Sequence, residues 1–285
     1  MAQLPMVLKR VVARLLEHDC LNLAQSAAYT AMVALFPALV VAAALIAQMP
    51  DVTPLKVEVG AFFDEVMPAN VFPVLTSYFV NANVDANGKP HTAGALIAAA
   101  IVSLIGASSS IATLMEGLHR AADVPFRHWS FWRKRTRSLL LVPLSLVPLG
   151  IASILVVFGR WITEWLAEYM ANPVKPAFFA VAIAVRWIVA LAGVVGLTAL
   201  IYHWGVPPMA RLGQRRSWVK TLPGAVVATA MWFLTTLAFG LYVTRVADYS
   251  AVYGSLGAGI ALLFWLYIVF LSVLCGAEFN AQLSR

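Results

Sequence analysis

The sequence predicts an all-α protein: a polytopic membrane bundle of six transmembrane helices with an N-terminal interfacial amphipathic helix, forming one domain over residues 1–285. Three observations predict it. First, 61% of the residues are hydrophobic and only 12% are charged, whereas a soluble domain carries about 25% charged residues. A chain of this size cannot bury that much apolar surface in one globule, so the surface must face lipid. Second, the apolar residues fall into six long stretches. Third, the basic residues gather in alternate loops.

The N-terminal segment 4–17, LPMVLKRVVARLLE, sets Leu4, Val7, Leu8, Val11, Val12, Leu15 and Leu16 on one helical face and Lys9, Arg10, Arg14 and Glu17 on the other. Such a helix suits the membrane surface, where anionic lipid would hold the basic face. It lacks the apolar block and small-residue cleavage site of a signal peptide.

The six stretches lie at about 27–48, 93–115, 138–159, 178–202, 222–244 and 254–276, each near the ~20 residues needed to cross hydrocarbon. Arg186, in the fourth, is the one charged residue inside them. Pro37, Pro143 and Pro148 predict kinks, which membrane helices tolerate when neighbours satisfy the freed carbonyls. The segment 49–92 is long for a connection, and its interrupted apolar runs predict short external helices.

Fourteen basic residues lie in the N-terminal tail, the 116–137 and 203–221 loops and the C-terminal tail. The opposite side holds five, with a net charge of −3. The positive-inside rule therefore predicts cytoplasmic termini. The net charge of +7 is thus a topology signal, and nucleic acid is not an expected partner. The expected partners are the bilayer itself, anionic lipids at the basic loops, and a second copy or another envelope protein.

The stretch YGSLGAGIALLFWLY at 253–267 has neither the lysine of a phosphate-binding loop nor the glycine spacing of a dinucleotide fold. Gly254, Ser255, Gly257, Ala258 and Gly259 instead supply small residues four apart, a strip for close helix packing. The free amides at that helix start leave anion binding as an alternative.

Four polar residues in or beside the apolar spans are candidate substrate contacts. Arg186 sits about 12 Å deep from the outer end of span four, where a cation needs a cavity, a partner or a route back to the interface. Glu116 closes span two after a run of Ser108, Ser109, Ser110 and Thr113, and Glu278 and Asn280 follow span six. The two cysteines, Cys20 and Cys275, read as buried thiols. The five histidines, 18, 91, 119, 128 and 203, form no metal-binding or hydrolytic motif. No catalytic site, metal site or cofactor is expected.

Three segments resemble the YihY/BrkB family of bacterial inner-membrane proteins, some formerly mislabelled ribonuclease BN. They are LAQSAAYTAMVALFPALVV with Tyr29, Phe36 and Pro37, LPGAVVATAMWF with Pro223, Gly224 and Trp232, and YGSLGAGIALLFWLYIVFLSVLCGAEFNAQL with Gly276, Glu278 and Asn280. The resemblance implies six spans and adds Tyr29 to the candidate contacts. Ala28 stands where a second aromatic is common in the family.

Together these features lead us to expect a transporter or flippase-like carrier of an anionic amphiphile or envelope lipid. A non-transporting assembly protein of the envelope is the alternative. Phosphodiester hydrolysis is not expected, because the acids of the basic loops stand apart from one another.

Overall fold

The computed structural model describes residues 4–47, 91–123, 130–169, 175–206, 218–245 and 256–283. Seven α-helices run through them: α1 (Leu4–Glu17), α2 (Cys20–Ala47), α3 (Ala93–Ala121), α4 (Phe131–Glu168), α5 (Lys175–Gly205), α6 (Leu222–Arg245) and α7 (Leu256–Leu283). One 3₁₀ turn, Trp218–Lys220, leads into α6. The described residues contain no strand. The expected helices of the 49–92 segment fall almost wholly outside the described residues.

Five helices, α2, α3, α5, α6 and α7, are long and apolar enough to cross a bilayer. The third expected span lies inside α4, the longest helix at 38 residues. Pro37 sits within α2, and Pro143 and Pro148 within α4, each removing one backbone donor without ending its helix.

Several helices run past the expected span ends. α2 begins at Cys20, α3 continues to Ala121 and α7 to Leu283. Glu116, Glu278 and Asn280 are therefore helical, and Glu278 and Asn280 are buried. Hydropathy ends a span at the first polar residues, but here neighbouring helices supply their partners.

α2 packs chiefly on α3, α4 on α5, and α6 on α7, while α7 also touches α1, α2 and α3. The ends that carry the basic residues meet in one layer, here called the basic end. The buried residues of α3 run from Ser108 to Ala121 and those of α5 from Thr198 to Gly205, all in the basic halves. Their far halves are open at Ile97, Ile101, Val181, Val185 and Ile188. A smaller far-half core of Phe239, Ala261 and Leu262 joins α6 to α7, with Leu35, Phe36 and Leu39 of α2 against it.

The glycines follow the same division. A Cβ on Gly276 would come within 2.6 Å of the Tyr202 hydroxyl and 2.7 Å of Ala228 Cβ, besides striking the Gly224 carbonyl. One on Gly205 would meet Leu118 Cδ1 at 2.7 Å, and one on Gly106 would meet Ala34 Cβ at 2.8 Å. In contrast, Gly94, Gly150 and Gly240 would meet nothing within 4 Å. Close backbone approach is how helices gain contact when lipid offers no hydrophobic drive. The tightest crossing joins α6 to α7 at Gly224 and Gly276. Of the glycine strip expected to do this, Gly254 and Ser255 lie outside the described residues, as does the Ala258 side chain. Gly257 is buried, and Gly259 leaves ordinary van der Waals room against Met32.

α1 is amphipathic as expected, but it packs on protein as well as facing outward. Val11 and Leu15 are buried with Cys20, Leu23, Leu274 and Cys275, while Val12 and Leu16 stay exposed.

Candidate functional site at the basic end

The turn between α1 and α2 places His18 over the end of α7. Asp19 takes a left-handed conformation there, φ 59°, which lets α1 fold back across the start of α2. Aspartate is one of the few residues besides glycine that adopts this geometry readily. His18 Nδ1 meets Glu278 Oε1 at 2.5 Å. The Glu278 side chain is fully buried, and its other oxygen, Oε2, has no hydrogen-bond partner among the described residues. His18 Nε2 lies 3.7 Å from Asp123 Oδ1, which also stands 3.8 Å from Arg14 of α1. Asp123 closes α3 in a second left-handed conformation, φ 52°.

Arg120 of α3 ties this pair to a neighbouring one. It donates to the His18 carbonyl at 3.0 Å and to Glu116 Oε1 at 2.8 Å. Lys134 of α4 reaches Glu116 Oε2 at 3.4 Å, and Arg135 donates to Ser109 Oγ at 3.1 Å. Glu116 thus joins α3 to α4, and Glu278 joins α7 to α1. Both networks sit in the same layer.

Asn280 completes the layer on the other side of α7. Its Oδ1 accepts the Gly224 backbone N–H at 2.7 Å, and its Nδ2 donates to the Thr221 carbonyl at 3.0 Å. Gly224 stands in the first turn of α6, where the helix leaves its amides unpaired, so Asn280 acts as a cap supplied by another helix. Beside it Tyr202 of α5 donates to the Val273 carbonyl of α7. Leu118, Ala121, Ala122, Tyr202, Ala277 and Asn280 line a cleft of about 10 Å³ there, room for about one water. The stacked rings of His203 and Trp218, 4.1 Å apart, close the end of α5 against the turn before α6.

The serine run contributes mostly within its own helix. Ser108 and Ser109 both donate to the Ile105 carbonyl, at 2.9 and 2.8 Å. Ser109 also accepts from Arg135 of α4, and Ser110 reaches across to α2, where its hydroxyl meets that of Thr30 at 2.8 Å.

The structure thus gathers Glu116, Glu278 and Asn280 at one end and leaves Arg186 and Tyr29 outside that cluster. Arg186 lies 19 residues from Gly205, about 28 Å along α5 from the basic end. Its stem runs past Gly159 of α4, with Cδ 3.5 Å from where a Cβ would stand. Among the described residues no acid pairs with it. Tyr29 is 64% exposed on α2, whereas Ala28 beside it is 1% exposed. Ala24 and Ala27 are also sealed on that face, so a larger residue at 28 would have to displace a neighbouring helix.

His18, Arg120, Lys134, Tyr202, Gly224 and Gly276 had not been singled out as parts of one site. Glu278 is met by His18, the histidine before α2. Among the described residues no group of three or more His, Cys, Asp or Glu side chains is placed to hold a metal ion.

The helical bundle agrees with the comparisons. The family described as Virulence factor BrkB matches residues 11–285. The chain belongs to the BrkB family. Its relatives include YfkH of Bacillus subtilis, named as a ribonuclease-like protein, at 29% identity over 98% of this chain and 95% of that protein. UPF0761 membrane proteins of Xanthomonas campestris and Xanthomonas axonopodis are 26% identical over 95% of this chain. The chain spans 59% of the length of those Xanthomonas relatives. No solved structure matches it. This BrkB chain is therefore a multi-pass membrane protein, and the serine, glycine and acid positions above belong to a membrane bundle.

Proposed function

We propose that this BrkB protein is a carrier that moves an anionic amphiphile, such as an envelope lipid, across the bacterial inner membrane. In this reading α4 is a sixth crossing, both termini are cytoplasmic, and the basic end faces the cytoplasm, as the positive-inside rule requires. Anionic headgroups gather at its basic loops. The protein is not an enzyme.

The observation that carries the reading is Arg186. It is a cation in the apolar far half of α5, and no acid neutralises it among the described residues. A charge at that depth is retained where it meets a polar ligand or pathway. An anionic headgroup would pair with the guanidinium while its chains stay in lipid. Two further features suit a carrier held closed on one side. The basic end is sealed by the Glu116 and Glu278 networks and by the Gly224–Gly276 crossing, and the far halves of α3 and α5 keep apolar side chains such as Ile97 and Val185 uncovered by the rest of the chain.

The test uses purified protein in vesicles with fluorescent phosphatidylglycerol and, as a neutral control, fluorescent phosphatidylcholine. The carrier moves the anionic probe between leaflets faster than the neutral one. A hydrogen bond to a charged group contributes about 1.5–3 kcal/mol, so Arg186→Gln slows that movement by about tenfold or more. Equal rates with and without protein for both probes would contradict the reading and favour the assembly role.

A further inference from the structure

The Glu278 carboxyl group combines features that a packing contact does not require. It is fully buried, one oxygen is held by His18 at 2.5 Å, and the other is unpartnered among the described residues. A carboxylate in such a place has an oxygen whose charge nothing neutralises. The pair also joins residues 260 apart in the chain, and its release would leave α1 held on α7 by the apolar contacts of Val11 and Leu15 without a polar link.

We propose that the His18–Glu278 pair is the proton-binding site of this protein, and that one proton is exchanged there each time the basic end opens. This rests on the carrier reading for its purpose and not for its chemistry. The proton adds to Glu278 Oε2 and converts the carboxylate to a neutral acid. No other bond is made or broken. The neutral acid no longer attracts the cations or repels the acids facing it. From α1 these are Arg14 and Glu17, and from the following turn His18 and Asp19. From α3 they are Arg120 and Asp123. The thiols of Cys20 and Cys275 are the remaining titratable neighbours, and both are buried. The balance around the pair is thus two cations and three acids besides the pair itself, so a charged Glu278 is held chiefly by His18. Neutralising it removes the charged link between the α1–α2 turn and α7 while leaving the Glu116–Arg120–Lys134 link between α3 and α4 intact.

The experiment places spin labels on exposed positions of α1 and α7, Val12→Cys and Leu283→Cys, in the full-length protein in nanodiscs. The separation is read between about pH 5 and pH 8, the range in which histidine–carboxylate pairs act as switches. The pair predicts a short, narrow separation at the upper limit and a longer or broader one at the lower limit. Glu278→Gln, which mimics the neutral acid, gives the longer separation at both. Should that variant fail to fold, His18→Gln reads the same loss at the upper limit, and the wild-type pH response stands alone as a test. A separation that ignores pH in the wild type, or a Glu278→Gln protein that behaves as the wild type, overturns the proposal. Movement of α1 with pH in a protein that moves no fluorescent phosphatidylglycerol supports the proton site and removes the carrier reading. Lipid movement that ignores an imposed pH gradient, with α1 fixed, leaves the carrier and removes the proton site.

Discussion

Adding one methyl group at Gly276 tests the packing of the basic end more sharply than removing a charge. A Cβ there would stand 2.6 Å from the Tyr202 hydroxyl and 2.7 Å from Ala228 Cβ, and it would also strike the Gly224 carbonyl. A flexible side chain could turn away, but the obstacles are a backbone carbonyl, a methyl on a helix and a ring held by its own hydrogen bond. The two helices must separate, which costs about 1–3 kcal/mol for overpacking alone. The Tyr202–Val273 and Gly224–Asn280 hydrogen bonds lie on the same crossing, and each carries about 0.5–1.5 kcal/mol. Gly276→Ala therefore lowers stability by about 2–6 kcal/mol. Gly240→Ala is the matched control, because a Cβ there meets nothing within 4 Å. It replaces a helical glycine with alanine and gains up to about 1 kcal/mol. The assay is thermal unfolding of each variant in one detergent, followed by tryptophan fluorescence. At roughly 2–4 °C per kcal/mol, Gly276→Ala loses at least about 4 °C while Gly240→Ala stays level or rises. Equal shifts in both would refute the packing described here.

Other variants probe separate parts of the same end. Asn280→Ala leaves the Gly224 amide buried without its partner, while the Thr221 carbonyl still accepts from the Ala225 amide, and stability falls by about 1–3 kcal/mol, read in the same melts. Asp123→Gly relieves the left-handed backbone, whereas Asp123→Ala keeps the strain and loses the charge. The glycine variant should therefore melt higher than the alanine variant, by about 1 kcal/mol. Glu116→Gln weakens two half-exposed ion pairs and changes stability by less than about 1 kcal/mol, so a large melting shift would show that the network is structural.

Much of the fold was legible because lipid imposes a simple rule: long apolar runs become helices, and basic loops share a side. The contacts His18–Glu278, Lys134–Glu116 and Gly224–Asn280 put the predicted loops in one layer. The rule failed at the span ends. Glu278 and Asn280 looked like the start of a polar tail, yet inside the bundle His18 holds one oxygen of Glu278 and the amide of Gly224 meets Asn280. That pairing spans 260 residues for His18 and Glu278, and no local pattern marks it. The glycines show the same limit. Spacing by four identifies residues able to pack closely, as at 254–259, but a partner surface decides which crossing is tightest. Gly276, an isolated glycine in sequence, meets another in Gly224.

Hydrogen exchange along the helices, measured by mass spectrometry in nanodiscs, bears most directly on the carrier. A water-filled path sealed at the basic end predicts slow exchange in residues 108–121 and 272–281. It predicts distinctly faster exchange in the far halves, at 93–104 and 178–190. Uniformly slow exchange along α3 and α5 would mean that lipid or protein surrounds them throughout, and would contradict a carrier open on that side.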